Sequence, residues 1–188
     1  KKHGPVLRAE DTAGLIETIY QRANRPMIQL KDTGDDDFSF SIPEVGRFRV
    51  NTFKQRGSLA AVLRLVLFDL PDPEDLGIPD SVVDLHKKTK GLILVTGPAG
   101  SGKSTTLATI IRQINNTRNS HIITLEDPIE HIHRHNKSIV SQREVALDTT
   151  SYAKGLRAAL RESPDVILLG EMRDLETISI AMSAAETG

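Results

Sequence analysis

A glycine-rich octet near the middle of the chain, Gly97-Pro98-Ala99-Gly100-Ser101-Gly102-Lys103-Ser104, constrains the fold more than any other stretch. It follows the continuous apolar run Leu92-Ile93-Leu94-Val95, which reads as a central parallel strand over Leu92 to Thr96, and it precedes a segment that reads as a helix over residues 103–114. Every fixed position of G-x-x-x-x-G-K-S/T is matched, in the strand–loop–helix context that the motif requires. Glycines at 97, 100 and 102 allow backbone conformations that a Cβ would oppose, so successive N–H groups can turn inward around phosphate oxygens. The positive end of the following helix adds to that attraction. Lys103 has the reach for β- and γ-phosphates, and the Ser104 hydroxyl suits Mg²⁺. Pro98, Ala99, Ser101 and Thr105 complete the expected phosphate-contacting set.

Downstream the pattern alternates. A strand is expected over His121 to Leu125, a helix over Tyr152 to Leu160, an apolar strand over Val166 to Leu169 and a helix over Leu175 to Ala185. Such alternation implies right-handed crossovers and an α/β fold with a parallel sheet. Acids cluster where these strands end. Glu126, Asp127 and Glu130 follow the first, and Glu171 follows the second after Gly170. Open α/β sheets bind ligands at the carboxyl ends of their strands, so these carboxylates are expected to face the same crevice as Lys103. There they can activate water and hold hydrated Mg²⁺. Asp165, at the other end of its strand, is expected to lie away from the phosphates. His131, His133 and His135 alternate, which suggests a metal centre, but in a strand they would spread over ~13 Å, awkward for one ion. A polar strand or loop face is the expected reading.

The front of the chain has a different rhythm. Leu15, Ile16, Ile19 and Tyr20 recur at helical spacing between Glu10 and Arg22 after an Asp11-Thr12 cap signal, and the helix is expected to end before Pro26. Asp32 to Asp37 reads as a turn or flexible loop. Phe38, Phe40 and Ile42 then alternate with serines, and Phe48, Val50 and Thr52 alternate with Arg47, Arg49 and Asn51, giving two strands joined by turn residues. Leu59 to Phe68 supplies a third strand, so a small antiparallel meander against one helix is predicted. Asp69 to Asp75 holds two prolines and four acids, as an extended linker would. The expected organisation is therefore a domain over 1–68, a linker over 69–78 and a second domain over 79–188, the last opening with a short helix from Ser81 to Lys88 with Val82, Val83 and Leu85 inward.

Composition narrows the partners. With 24 Lys+Arg against 25 Asp+Glu and a formal net charge of −1, the 188-residue chain has no basic excess to capture nucleic acid at long range. The absence of Cys excludes disulfides, thiolate metal sites and thiol nucleophiles. The longest apolar run is far short of the roughly 20 residues that cross a bilayer. No secretory signal is expected at the N-terminus, and because the first residue is Lys1, that terminus is expected not to be the natural one.

Four stretches together resemble the secretion-type hexameric ATPases, and within them the PilT-like retraction ATPases of type IV pili. They are Gly46 to Asn51, the octet, Thr124 to Glu130 and Val166 to Asp174. The resemblance implies a RecA-like P-loop core, stopping before its C-terminal strand and "His box", preceded by a small α+β PAS-like domain. It implies ATP and Mg²⁺ as ligands, Glu130 as general base and Glu171 as the Walker B glutamate near the metal, with Glu126 and Asp127 contributing to that side. It implies that Arg49 and Arg64 fold onto the nucleotide phosphates, a task suited to planar, permanently charged guanidinium groups. A homo-hexamer, an inner-membrane platform protein as partner, and a cytoplasmic location peripheral to the inner membrane also follow from it. Ser141 to Val145 and Gly170-Glu171-Met172-Arg173-Asp174 resemble the retraction type, whereas assembly and secretion relatives more often read Gly-Glu-Ile-Arg-Asp. Pilus assembly or type II secretion is the alternative, and a nucleotide sensor that does not hydrolyse is the alternative of another class. Ala99 stands where relatives usually have Thr, a change that leaves the backbone cradle intact.

Overall fold

A computed structural model describes residues 4–66 and 70–187. The chain divides into two compact units, Lys1–Leu67 and Phe68–Gly188.

In the first unit, helices α1 (Ala9–Arg22) and α2 (Ile28–Thr33) precede strands β1 (Asp35–Ile42), β2 (Gly46–Gln55) and β3 (Ser58–Val66), which form an antiparallel sheet in the order β1-β2-β3. Ile16 and Tyr20, one helical turn apart, bury against Leu30, Phe38 and Val50. Leu15, expected on that stripe, is 53% exposed. It lies about 100° around the helix from Ile16, beyond the strip that three strands can cover. The helix also starts earlier than its cap signal predicts: Arg8 is the N-cap, and its N–H donates to Asp11 Oδ2 at 2.8 Å from within the first turn.

The acidic run 32–37 is not a loop. Helix α2 ends at Gly34 in the left-handed region, φ 88°, and β1 begins at Asp35. Asp36 shares the inward face with Phe38 and is 1% exposed. Its carboxylate accepts two hydrogen bonds from Arg25, Nε at 2.9 Å and Nη2 at 2.7 Å, and one from the Tyr20 hydroxyl at 2.9 Å, which also meets Thr52 Oγ1 at 2.8 Å. A run that looks too acidic for a strand is thus accommodated by one buried, fully partnered charge. The Leu67 and Phe68 end of the expected third strand, and Asp69 of the expected linker, lie outside the described residues.

In the second unit, Arg112 secures the chain after residue 70. Its guanidinium donates to the carbonyls of Leu70 and, at 2.9 Å, Pro71, and pairs with Asp72 at 3.4 Å. Residues 72–78 then close into turns, with Leu76 N–H on the Asp72 carbonyl and Ile78 N–H on the Pro73 carbonyl, rather than extending. Prolines set φ but do not prevent a turn at the residues that follow.

Helix α3 (Asp80–Val83) and a 3₁₀ turn (Asp84–Lys87) lead to α4 (Lys103–Thr117), β4 (His121–Glu126), β5 (Ile139–Glu144), α5 (Tyr152–Ala159), β6 (Val166–Leu169) and α6 (Leu175–Thr187). The sheet is parallel in the order β5-β4-β6. Its two faces are covered by different helices. Ile110, Ile111 and Ile114 of α4 meet Ile122, Val140, Val166 and Leu168, while Leu156 of α5 and Ala181 of α6 meet Leu125, Ile167 and Leu169. The continuous apolar run in β6 supplies both cores in alternation, as buried parallel strands do. The fold is α/β, as the alternation predicts.

The run Leu92–Thr96 differs from expectation. It has no strand partner among the described residues, and Leu92, Ile93 and Leu94 are 47%, 41% and 61% exposed. An apolar run specifies two faces to be covered but carries no information on which strand hydrogen-bonds beside it. Strand β5 was not legible from periodicity, because Ile139 to Glu144 mixes apolar and charged residues on an edge of the sheet. Among the described residues, no helix is long and apolar enough to cross a membrane.

Candidate active site

The octet forms an exposed loop leading into α4, whose N-cap Gly102 has φ 89°, with Gly100 at φ 76°. A Cβ on Gly97 would come within 2.7 Å of Ser101 Oγ, so a side chain there would displace that hydroxyl from the loop. The Lys103 ammonium folds back over the loop and donates to the carbonyls of Gly97 at 2.9 Å and Pro98 at 2.7 Å. That places its positive charge at the mouth of a loop bordered by the free N–H groups of a helix start. Thr105 lies inside the first turn of α4, its carbonyl accepting from Thr109 Oγ1 at 2.9 Å.

Beside this helix start is a cavity of about 180 Å³, lined by Ser104, Glu126, Asp127, Glu130 and Glu171, with Tyr152, His131 and His133 on its walls. Glu126 ends β4, and Glu171 follows Gly170 at the end of β6. Gly170 donates its N–H to the Leu125 carbonyl at 2.8 Å, and a Cβ there would stand 3.0 Å from Tyr152 Oη and 3.3 Å from Glu126 Cα. A side chain at this position would thus crowd the closure of β6 against β4. Glu130 and Asp127 are exposed, on a turn anchored between them by Ile129, which is 3% exposed and donates its N–H to Glu144 Oε2 at 3.2 Å. Asp165 lies at the opposite end of β6, where it accepts from the His121 N–H at 2.7 Å.

The cavity is rich in acid. Burial pushes the Glu126 carboxyl above the ordinary glutamate range, against donors from Thr124 Oγ1 at 2.6 Å, Gln142 Nε2 at 3.2 Å and the Glu130 backbone, with only a small upward push from the Glu130 charge. Burial also raises the Tyr152 hydroxyl, with Glu171, Asp127 and Glu126 adding to it, so that side chain stays a neutral donor. His131 is pushed down by burial and His133 down to about 4, by burial first and then by His131 and Arg112. Both imidazoles are therefore uncharged at neutral pH. The segment that carries them is irregular, and the described residues hold no group of three or more His, Cys, Asp or Glu side chains placed to hold a metal ion. His135 instead accepts the Val140 N–H on Nδ1 at 3.0 Å.

Ser104 and the four carboxylates expected at the crevice thus share one cavity, and Lys103 with Gly97 to Gly102 forms the loop at its edge. Arg49 and Arg64 belong to the first unit, where they are register partners on β2 and β3. Tyr152, Thr124 and Gln142 were not picked out from sequence as site residues, because neutral side chains within helices and strands carry no local signature. Mg²⁺ takes hard-oxygen donors, one or two from protein and the rest from water and phosphate, so a hydroxyl beside single carboxylates suits it by chemistry although no three acids are placed around one point among the described residues.

The family model described as type II/IV secretion system protein matches residues 6–188. The chain is 52% identical over 184 residues to the type IV pilus retractation ATPase PilT of Pseudomonas aeruginosa, covering 98% of this chain and 53% of that protein. It is 46% identical over 184 residues to a twitching motility protein of Neisseria gonorrhoeae, covering 98% of this chain and 49% of that one. Among solved structures, the pilus retraction motor PilT with bound ADP superposes with a TM-score of 0.81 at 59% identity, over 85% of this chain and 47% of that one. The Legionella pneumophila ATPase DotB superposes with 0.77 at 34% identity, over 98% and 53%. The chain therefore spans about half the length of the relatives it matches. On the strength of a match across nearly its whole length, the chain belongs to the type II/IV secretion system protein family.

Proposed function

We propose that this chain is part of an ATP-hydrolysing motor that retracts type IV pili. The observation that carries the reading is the meeting of Ser104, at the start of the P-loop helix, with Glu126, Asp127, Glu130 and Glu171 in one cavity. The glycine-lined loop and the start of α4 cradle the phosphates, and Lys103 leaves the Gly97 and Pro98 carbonyls for the β- and γ-phosphate oxygens. Ser104 and Glu171 would hold Mg²⁺, with Glu126 and Asp127 contributing on the same side of the cavity. When bound, that ion neutralises phosphate charge and orients the terminal group. Glu130 is the general base. It accepts a proton from the water whose oxygen bonds to the γ-phosphorus as the bond to the β–γ bridging oxygen breaks, leaving ADP and phosphate.

Arg49 and Arg64 act as a removable clamp, drawing the 1–68 domain onto the nucleotide across the 69–78 linker and releasing it after hydrolysis. Closure of this kind does work when the open and closed states differ in affinity for ATP and ADP. In a homo-hexamer on the cytoplasmic side of the inner membrane, such cycles would drive a platform protein. The relatives named for pilus retraction and twitching motility support retraction over assembly or secretion. The test is phosphate release and nucleotide binding by the complete protein and its Lys103→Ala variant. Loss of turnover by about 100-fold or more, with weakened ATP binding, is expected for a P-loop lysine. Unchanged turnover would overturn the reading, and tight ATP binding by the wild type without turnover would favour a sensor.

A further inference from the structure

The side chain of Gln142 on β5 makes three hydrogen bonds, all of them to the wall of the cavity. Its Nε2 donates to Glu126 Oε1 at 3.2 Å and to the His131 carbonyl at 2.9 Å, and its Oε1 accepts the His133 N–H at 2.7 Å. Only one orientation of the amide satisfies two acceptors and one donor in this way, so the partners define which end is nitrogen. Gln142 is the register partner of Thr124 on β4, and the Thr124 hydroxyl donates to the same Glu126 oxygen at 2.6 Å. Two adjacent strands thus direct donors to one carboxylate oxygen.

We infer that Gln142 is the positioning residue of the acidic cavity, tying Glu126 to the 131–133 segment and so setting the geometry of the turn that carries Glu130. The inference rests on the ATPase reading above. The loop does not depend on this side chain to stay folded. Ile129 is anchored by burial and by Glu144, and Asn115 of α4 holds the far end through Nδ2 to the Arg134 carbonyl at 2.7 Å and Oδ1 to the Asn136 N–H at 3.1 Å. His135 adds its bond to the Val140 N–H. The loop is therefore fixed at both ends, and Gln142 fixes its middle, the stretch that directly follows Glu130.

That division of labour makes the role separable from stability. In the complete protein, Gln142→Met keeps the volume of the side chain and removes all three bonds. It is expected to lower kcat about 10-fold or more while KM for ATP stays within about twofold, as loss of a supporting partner does at other sites. Gln142→Glu keeps an acceptor for His133 but loses both donors and adds a carboxylate beside Glu126, so its kcat should fall further. Hydrogen exchange gives a second readout: the His133 amide should be protected in the wild type, exchange faster in Gln142→Met and stay protected in Gln142→Glu, with Asn136 and Val140 unchanged in both. Wild-type kcat in Gln142→Met, or a kcat loss accompanied by a lower melting temperature and a raised KM, would overturn the inference. So would an unprotected His133 amide in the wild type, which reads the geometry even where a variant does not fold. Absence of ATP turnover in the wild type would count against the ATPase reading instead, and the exchange pattern would still decide the role of Gln142.

Discussion

Asp36 in the first unit and Glu126 in the second are both acids withdrawn from water, and they titrate in opposite directions. Burial alone would raise Asp36, but the Arg25 guanidinium and the Tyr20 hydroxyl bring it below the ordinary aspartate value. Burial raises Glu126, and the neutral donors Thr124, Gln142 and the Glu130 backbone do not reverse it. A full opposite charge with two parallel hydrogen bonds offsets desolvation, whereas neutral donors satisfy the lone pairs without balancing the charge. The first arrangement is closed and holds a sheet to its helix. The second leaves Glu126 without a cationic partner at its carboxylate among the described residues, in a cavity where Glu171 alone pairs with an arginine, Arg173 at 2.8 Å.

The comparison breaks most visibly if Arg25 is removed. Arg25→Ala leaves Asp36 buried without its counter-charge and should destabilise the first unit by about 3 kcal/mol, read as a lower urea midpoint. Because the folded value of Asp36 is depressed, its contribution is present above the ordinary aspartate value and is lost as pH falls through the lower one. An acid unfolding profile of the Asp36→Asn variant should lack that slope. Tyr20→Phe, which removes one donor to Asp36 and the contact with Thr52 but keeps the ring against Phe38, should cost about 1 kcal/mol.

The smallest effect has the opposite sign. Glu126 has a raised folded value, so its ionised form is penalised in the folded state, and the penalty grows as pH rises from the ordinary glutamate value through the raised one. Glu126→Gln should therefore melt slightly above the wild type at neutral pH, with the difference vanishing in acid, while turnover falls. A variant that melts below the wild type at neutral pH would remove the contrast between the two sites.

Much of the second unit was legible because its chemistry is local in sequence. Glu126 to Glu130 and Gly170-Glu171 each sit directly after a strand whose direction sends them to one crevice, and the octet is marked by its own glycines and lysine directly before α4. What escaped notice depends on partners distant in sequence. Asp36 reads as loop until Arg25 and Tyr20 are seen beside it, and Gln142 is an unremarkable polar residue until its three bonds converge on the cavity. Leu92 to Thr96 failed in the converse way: hydrophobicity marks the faces of a strand, while pairing depends on neighbours that the run itself does not specify.

The most direct test of the claim that this acidic cavity is catalytic is steady-state phosphate release by Glu130→Gln in the complete protein. The substitution keeps size and hydrogen bonding but removes the carboxylate proposed as the base from an exposed position, so folding and ATP binding should be unchanged. Turnover is expected to fall about 100-fold or more. Retention of wild-type turnover would contradict the account.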